Sequence, residues 1–577
     1  MHINNNQVLA SPANTDTQTN DELSISTQER LPSTPSSSFE LAGLPPRKKR
    51  KMPETSSSSN VRKRLVVVSN RLIDPKKPAA VIPSPRSVLF VSNAGVNVNS
   101  PQAEGTGGGL VPAVASVAKL PGNFWLFTNK KVSEVFTVAE NTFVDGGKVR
   151  QFPLSNKQNI GFYEEFANQV IWPACHYRAD LIMPAPKIET YREVNDLFAL
   201  QVIDRLNVAP DSIVLIQDYH HMVLPKILRE KGIENPIGYF HHIPIPTPEE
   251  AYKMPNHKEL MSSLLSCDLV GLQTNNDVEN FCNYVKEHLD GTTVRLEDGS
   301  YDVIVSGKAT RVKSFPIGID VPEFLSGKTD ENDRALLTKV ENEVTLGRTV
   351  IGGVDREDWT KDILGRLQAY ADLLEVNPSL YGQLVFVQVA APSRSDLPAY
   401  KEAHDEIAKL VAEINNKYGT KNDDGTTSWT PVIYHNELVS RASLPELFRL
   451  IDIYVASSPW DGQHLGVKEF AAAQGAAAPG QDVHPGVMVM STGVGASEEF
   501  SQTSEQFRQR SMFPSGDIPA LAVYLRSLIG MTKEERKEMS EKIRESVNTY
   551  NVHGWLAPQL EFLSMVNRPS DKSTGKQ

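Results

Sequence analysis

Residues 212–242 read "SIVLIQDYHHMVLPKILREKGIENPIGYFHH". The short apolar run "SIVLIQ" reads as a strand, "PKILREKG" as a helix stopped by Gly232, and "IGYFHH" as the next strand. Strand and helix in alternation are the signature of parallel α/β layers.

The same alternation extends in both directions. Upstream, "ALQVIDRL" places Ala199, Val202, Ile203 and Leu206 on one helix face, and a β-rich run begins the ordered chain at Arg64 to Leu72. Downstream, a second series starts near Arg348. "TVIGGV" predicts a strand, and the helix after it buries Ile363, Leu367, Tyr370 and Leu374. "LVFVQVA", "IDIYVASS" and "GVMVMS" predict further strands, with "IAKLVAEI" helical between them. Two series of ~200 residues each imply two doubly wound domains with a cleft between them. The expected boundaries are 63–325 and 326–535, followed by a helical segment at 536–565 that packs back on the first domain. Residues 1–62 and 566–577 are expected to be disordered tails, the first because Ser, Thr, Asn, Gln and Pro dominate it.

With 40% hydrophobic and 22% charged residues, the composition is that of a soluble globular protein. A net charge of -11 argues against a protein that coats nucleic acid or an anionic membrane, but leaves room for small anionic ligands held by local cations. Cys175, Cys267 and Cys282 have no metal-ligand spacing and read as buried thiols of a reducing compartment. The start "MHINNNQVLA" has no apolar signal core, and no apolar run approaches the length of a membrane span, so a cytoplasmic location is expected. Within "PPRKKRKMPE" the basic cluster Arg47 to Lys51 fits a nuclear import signal as well as it fits a solvated basic patch.

Ligands of open α/β sheets sit beyond the carboxyl ends of the strands, so the polar residues there are the candidates for chemistry. Arg356 and Lys361 in "VDREDWTK" follow a strand, with Lys361 at the entry of the next helix. Two cations at a helix N-terminus suit a phosphate or diphosphate. "DGQHLGVKE" supplies Asp461 and Glu469, two carboxylates able to accept hydrogen bonds from sugar hydroxyls. Arg71 ends the first strand, and the loop "GTGGGL" at Gly105 to Leu110 lets backbone amides reach an anion.

Taken in order, "VVVSNRL", "GGGL", "FYEEFANQVIWPACHYR", "QDYHHMVLP", "GYFHHIPIPTPE", "SFPIGID", "VDREDWTK", "APSR", "DGQHLGVKE" and "GVMVMS" resemble the motifs of the trehalose-6-phosphate synthases, glycosyltransferase family 20. The resemblance runs from about Lys63 to Leu560. It implies the GT-B architecture, with 63–325 binding the acceptor and 326–535 the nucleotide sugar. It also implies glucosyl transfer from UDP-glucose to glucose 6-phosphate with retention, and no metal or other cofactor. By this resemblance Arg356 and Lys361 hold the donor diphosphate, and Asp218 and His242 surround the reacting sugars. Gly109, Asp461, Leu465 and Glu469 would bind the donor, and Arg71, Tyr163, Trp172 and Arg394 the acceptor. A homo-oligomer or a synthase complex is the expected assembly, without nucleic acid or membrane.

Several positions depart from the family pattern. Its arginine, leucine, aspartate, tyrosine, serine or threonine, lysine, glycine series reads here Arg356, Glu357, Asp358, Trp359, Thr360, Lys361, Asp362. One extra negative charge about 5 Å from a phosphate costs roughly 1 kcal/mol in water and about 3 at an effective dielectric of 20. Asp362 is therefore expected to weaken donor binding by about tenfold to over a hundredfold, or to occupy Lys361 itself. Thr128 stands where a second tryptophan would contact the acceptor, Gln217 replaces histidine and Trp460 replaces arginine. These departures leave two alternatives beside an active synthase: a non-catalytic regulatory subunit, or a transferase with altered donor or acceptor.

Overall fold

Two sheets organise the described residues, 86–95, 110–129, 131–474 and 485–566, of this computed structural model. The expected tails, the basic cluster Arg47 to Lys51, the run Arg64 to Leu72, Arg71 and Gly109 lie outside the described residues, apart from Val566.

The first sheet is built from β1 (Val88–Val91), β2 (Phe124–Thr128), β3 (Ala139–Thr142), β4 (Lys148–Phe152), β5 (Ile213–Gln217), β6 (Ile237–Phe240), β7 (Leu269–Leu272), β8 (Thr292–Arg295), β9 (Tyr301–Val305) and β10 (Lys308–Ser314). Its order is β3-β4-β2-β1-β5-β6-β7-β10-β9-β8. Neighbours from β4 through β10 pair in parallel, and antiparallel strands finish both edges. Because successive side chains of a strand face opposite ways, the central strands feed two cores. Leu89, Leu126, Val214 and Ile216 enter one; Phe90, Trp125, Ile213 and Leu215 enter the other. Burial on both faces explains why these strands are apolar runs without polar alternation.

The second sheet contains β11 (Thr349–Arg356), β12 (Leu384–Ala391), β15 (Val432–His435), β16 (Ile453–Ala456), β17 (Val487–Ser491) and β18 (Met512–Phe513), in the order β15-β12-β11-β16-β17-β18. All its pairings are parallel. A small hairpin, β13 (Thr420–Lys421) and β14 (Thr427–Trp429), stands apart. β11 has β12 on one side and β16 on the other, so the order reverses there and opens a crevice at the carboxyl ends. In the first sheet β1 lies between β2 and β5 in the same way.

The chain passes between the two sheets twice. Residues 314–320 lead out of β10, and the return follows the helix Lys533–Thr549, whose Met539, Ile543 and Val547 pack into the core of the second sheet. The last helix, Val552–Met565, covers the first sheet with Val552, Trp555, Leu556, Leu560 and Leu563. The two passages touch: Val552 N donates to Ile319 O at 3.2 Å, and a Cβ on Gly318 would lie 2.3 Å from Tyr550 O. Only glycine allows that approach. Trp555 is fully buried, edge-on to Phe240 at 5.2 Å. Trp555→Ala should lower stability by about 3–5 kcal/mol in chemical denaturation, through lost burial and the cavity left behind.

Candidate functional site

The carboxyl ends of both sheets face one cleft of about 680 Å³. Tyr163, Trp172, Asp218, His242, Arg356, Lys361, Arg394, Asp461, Leu465 and Glu469 all line it.

On the second-sheet wall, β11 ends at Arg356 and a single turn, Trp359–Lys361, follows. Lys361 Nζ forms an ion pair with Asp461 Oδ2, which comes from the loop after β16. Asp461 Oδ1 accepts the amides of His464 at 2.8 Å and Gln463 at 3.3 Å. Burial alone would raise this carboxyl, but the Lys361 ammonium, with His464, holds it well below the usual range. Beneath the pair, buried Arg366 binds Asp355 at 2.7 Å and donates to the Lys361 carbonyl at 2.7 Å and to Ser457 Oγ at 2.8 Å. Asp355 is likewise buried yet held down to about 2 by Arg366 and then His464, whose Nε2 lies 3.0 Å away. Asp358 joins the cations at the carboxyl ends of β11 and β12: it is fully buried and lies 3.3 Å from Arg356 and 3.4 Å from Arg394. Glu469 is fixed by an ion pair with Arg441.

Asp362 behaves otherwise than its position in the sequence predicts. Its backbone is left-handed (φ 49°), and its carboxylate turns onto the helix Ile363–Val376, accepting Gly365 N at 3.1 Å. Asp362 is not among the residues that line the cleft, and Lys361 pairs with Asp461 instead of with it. Burial pushes the Asp362 carboxyl up to about 6, against the pull of Arg366. This helix N-terminus is thus already capped, which corrects its assignment to a phosphate. The helix Leu465–Ala473 differs: no side chain caps it, and its first residues, Leu465 and Gly466, line the cleft. Before it, a Cβ on Gly462 would lie 2.0 Å from His242 O, so glycine lets the two walls meet.

The first-sheet wall begins with a π-helix, Ile160–Ile171, which presents Tyr163 and runs directly into Trp172. π-helical turns are uncommon and often mark functional sites. Trp172 lies under two cations, with the Arg394 guanidinium 4.2 Å and the Arg356 guanidinium 5.6 Å from its ring centroid. Its Nε1 is buried without a hydrogen-bond partner among the described residues. Arg394 itself adopts φ 49° and donates to Tyr219 Oη at 3.3 Å and to Tyr400 Oη. Tyr163 stacks on His220 at 5.8 Å.

Between the walls, Asp218 adopts φ 75° and accepts His242 N at 3.1 Å. Burial raises its carboxyl to about 7, opposed by the amides of Tyr219 and His242 and by Arg394. His242 Nε2–H donates to Gln217 Oε1 at 2.8 Å. Burial, with His241 beside it, holds the imidazole down to about 3, so it is neutral at pH 7. Gln217, Asp355, Asp358 and Arg366 were not singled out as site residues. Asp355 and Asp358 carried a signal in their place inside "VDREDWTK", and Gln217 in its place at the start of "QDYHHMVLP"; Arg366 carried none. Thr128, at the position of the family's second tryptophan, donates its hydroxyl to Asn93 O and is not among the residues that line the cleft.

Among the described residues no helix is long and apolar enough to cross a membrane, and no group of three or more His, Cys, Asp or Glu could hold a metal ion.

Comparison with known proteins places these residues in a wider set. The model of glycosyltransferase family 20 matches residues 100–565. The trehalose-6-phosphate synthase of Cronobacter sakazakii is 30% identical over 510 residues, 87% of this chain and 95% of that protein. Among solved structures, an alpha,alpha-trehalose-phosphate synthase (UDP-forming) from Burkholderia xenovorans, in complex with glucose-6-phosphate, superposes with a TM-score of 0.73 at 27% identity. That match covers 83% of this chain and all of the other. An E. coli protein bound with UDP-2-fluoro glucose gives 0.72 at 28% identity over 83% and 99% of the two chains. The two-sheet cleft is the GT-B architecture.

Since Asp362 serves its helix, Asp362→Gly should leave UDP affinity within about twofold of wild type by calorimetry. Glycine keeps the left-handed backbone, so the lost cap should cost only a few tenths of a kcal/mol in thermal unfolding.

Proposed function

Because the chain belongs to glycosyltransferase family 20, we propose that its cleft transfers a glucosyl group from UDP-glucose to glucose 6-phosphate, giving trehalose 6-phosphate and UDP with retention at the anomeric carbon. The observation that carries the reading is the pair of cationic stations facing one cleft. Arg356 and Lys361 stand beside the uncapped helix Leu465–Ala473, and Arg394 stands over Trp172. The first suits a diphosphate and the second a monophosphate. The Burkholderia relative bound to glucose-6-phosphate and the E. coli relative bound to UDP-2-fluoro glucose supply the same two ligand classes.

In this reading the donor diphosphate draws Lys361 from Asp461, which frees that carboxylate to accept a hydroxyl of the donor sugar. Charge grows on the departing phosphate oxygen, which Arg356, the released Lys361 and the amides of Leu465 and Gly466 then stabilise. The reaction needs no cofactor, because these groups neutralise the diphosphate. The bond from the anomeric carbon to phosphate breaks while the bond to the acceptor oxygen forms on the same face. The acceptor proton passes to the departing phosphate oxygen. His242, neutral and with Nε2–H engaged by Gln217, suits an orienting role better than proton transfer. Asp218 in its ionised form accepts an acceptor hydroxyl.

Purified protein should release UDP from UDP-glucose only when glucose 6-phosphate is present, and Lys361→Ala should cut kcat by about 10²–10³-fold. Acceptor-independent silence of the wild type would instead favour a non-catalytic subunit.

The Asp218 carboxyl, raised to about 7, is protonated below that pH and loses its charge and one of its two acceptor oxygens. The kcat/KM for glucose 6-phosphate should therefore fall as pH drops through about 7, and Asp218→Asn should lose this limb along with most activity.

A further inference from the structure

Two tryptophans flank the charges of the donor station: Trp359 lies two residues before Lys361, and Trp460 immediately precedes Asp461. Both leave their own half of the molecule and meet one segment of the other, His176 to Arg178. The Trp460 ring stacks on Tyr177 with centroids 4.2 Å apart and planes 22° from parallel. Trp359 takes the edge of His176 at 6.1 Å on one side and the Arg178 guanidinium at 5.6 Å on another. It packs against the core of the first sheet although its chain belongs to the second.

The receiving segment is held for this purpose. Tyr177 adopts φ 58°, a region that L side chains rarely occupy, and its hydroxyl accepts Thr247 N at 3.2 Å and Asn280 Nδ2 at 3.4 Å. Arg178 is oriented by Asp180 through bonds of 2.8 Å. The segment also follows directly from Trp172, the platform beneath Arg394 and Arg356. Residues 172–178 therefore touch the second-sheet segments that carry Arg356 and Lys361, Arg394, and Asp461.

We propose that Trp359 and Trp460 are positioning residues: they clamp the two loops bearing Lys361 and Asp461 onto His176–Arg178, and so hold the donor station in register with the acceptor wall. The Lys361–Asp461 pair ties the loops to each other; the tryptophans tie both to the opposite half. Without the stacks the donor station still exists, but its distance from the acceptor is no longer fixed. Loss of register of this kind affects transfer more than binding.

The turnover part of the test rests on the glucosyl-transfer reading, so it is paired with one that does not. Wild type, Trp460→Ala and Trp460→Phe are compared in the full chain by UDP calorimetry without acceptor, by acceptor-dependent UDP release and by small-angle scattering. Trp460→Ala should bind UDP within about twofold of wild type yet transfer about tenfold more slowly, and Trp460→Phe should recover most of that loss. Equal turnover in Trp460→Ala and wild type would overturn the proposal, as would a parallel loss of UDP binding and turnover that phenylalanine does not rescue. If the wild type itself releases no UDP, the glucosyl-transfer reading fails, and scattering judges the clamp. A larger radius of gyration for Trp460→Ala than for wild type and Trp460→Phe supports it, and identical radii overturn it.

Discussion

The ion pair between Lys361 and Asp461 is the contact on which the cleft is built. It joins the loops that leave β11 and β16, the adjacent strands at which the second sheet reverses its order. Two charges taken out of water are expensive, and such a pair survives only where further hydrogen bonds complete it. Here the amides of Gln463 and His464 complete Asp461, while Arg366 grips the Lys361 carbonyl and, through Asp355, the end of β11. Removing one partner of this part-buried pair leaves the other charge alone at the cleft wall. In the proposed reaction a diphosphate would relieve that constraint, because it would give Lys361 another anion and leave Asp461 free for a neutral hydroxyl.

The first-sheet wall answers with an aromatic floor. Trp172 lies under Arg394 and Arg356, which the carboxyl ends of β12 and β11 carry across from the second sheet, and a single buried carboxylate, Asp358, balances both. Guanidinium groups suit this setting because they stack on rings and lose little hydration there. In the proposed reaction the two phosphate stations would differ in their surroundings: a lysine with helix amides at one, and an arginine on an indole at the other. Asp218, in a strained backbone between them, is the one carboxylate of the site whose burial outweighs its cationic neighbours.

Much of this was legible in the sequence. "SIVLIQ", "TVIGGV" and "LVFVQVA" became β5, β11 and β12, and Ile363, Leu367, Tyr370 and Leu374 are all buried, because burial on two faces and helical spacing leave clear patterns. The strand-end rule also pointed to Arg356, Lys361 and Asp461, which the structure brings to one cleft. Side-chain direction was not legible. Asp362 could be placed beside a phosphate only on the assumption that its backbone was ordinary; at φ 49° the carboxylate faces its helix. Thr128 and Trp460 stood at known motif positions, yet the first bonds to Asn93 and the second reaches Tyr177, some 280 residues away in sequence (460 − 177 = 283). The π-helix before Trp172 has no counterpart in hydrophobic periodicity, since its apolar residues also satisfy a helical reading.

The most direct test of the account is a crystal structure of the protein grown with UDP and glucose 6-phosphate together. The account predicts both ligands in the one cleft, with the UDP diphosphate at Arg356 and on Lys361 Nζ, now withdrawn from Asp461, and the sugar phosphate on Arg394 above Trp172. A complex in which Lys361 still holds Asp461 while UDP lies elsewhere, or in which the sugar phosphate avoids Arg394, would contradict it.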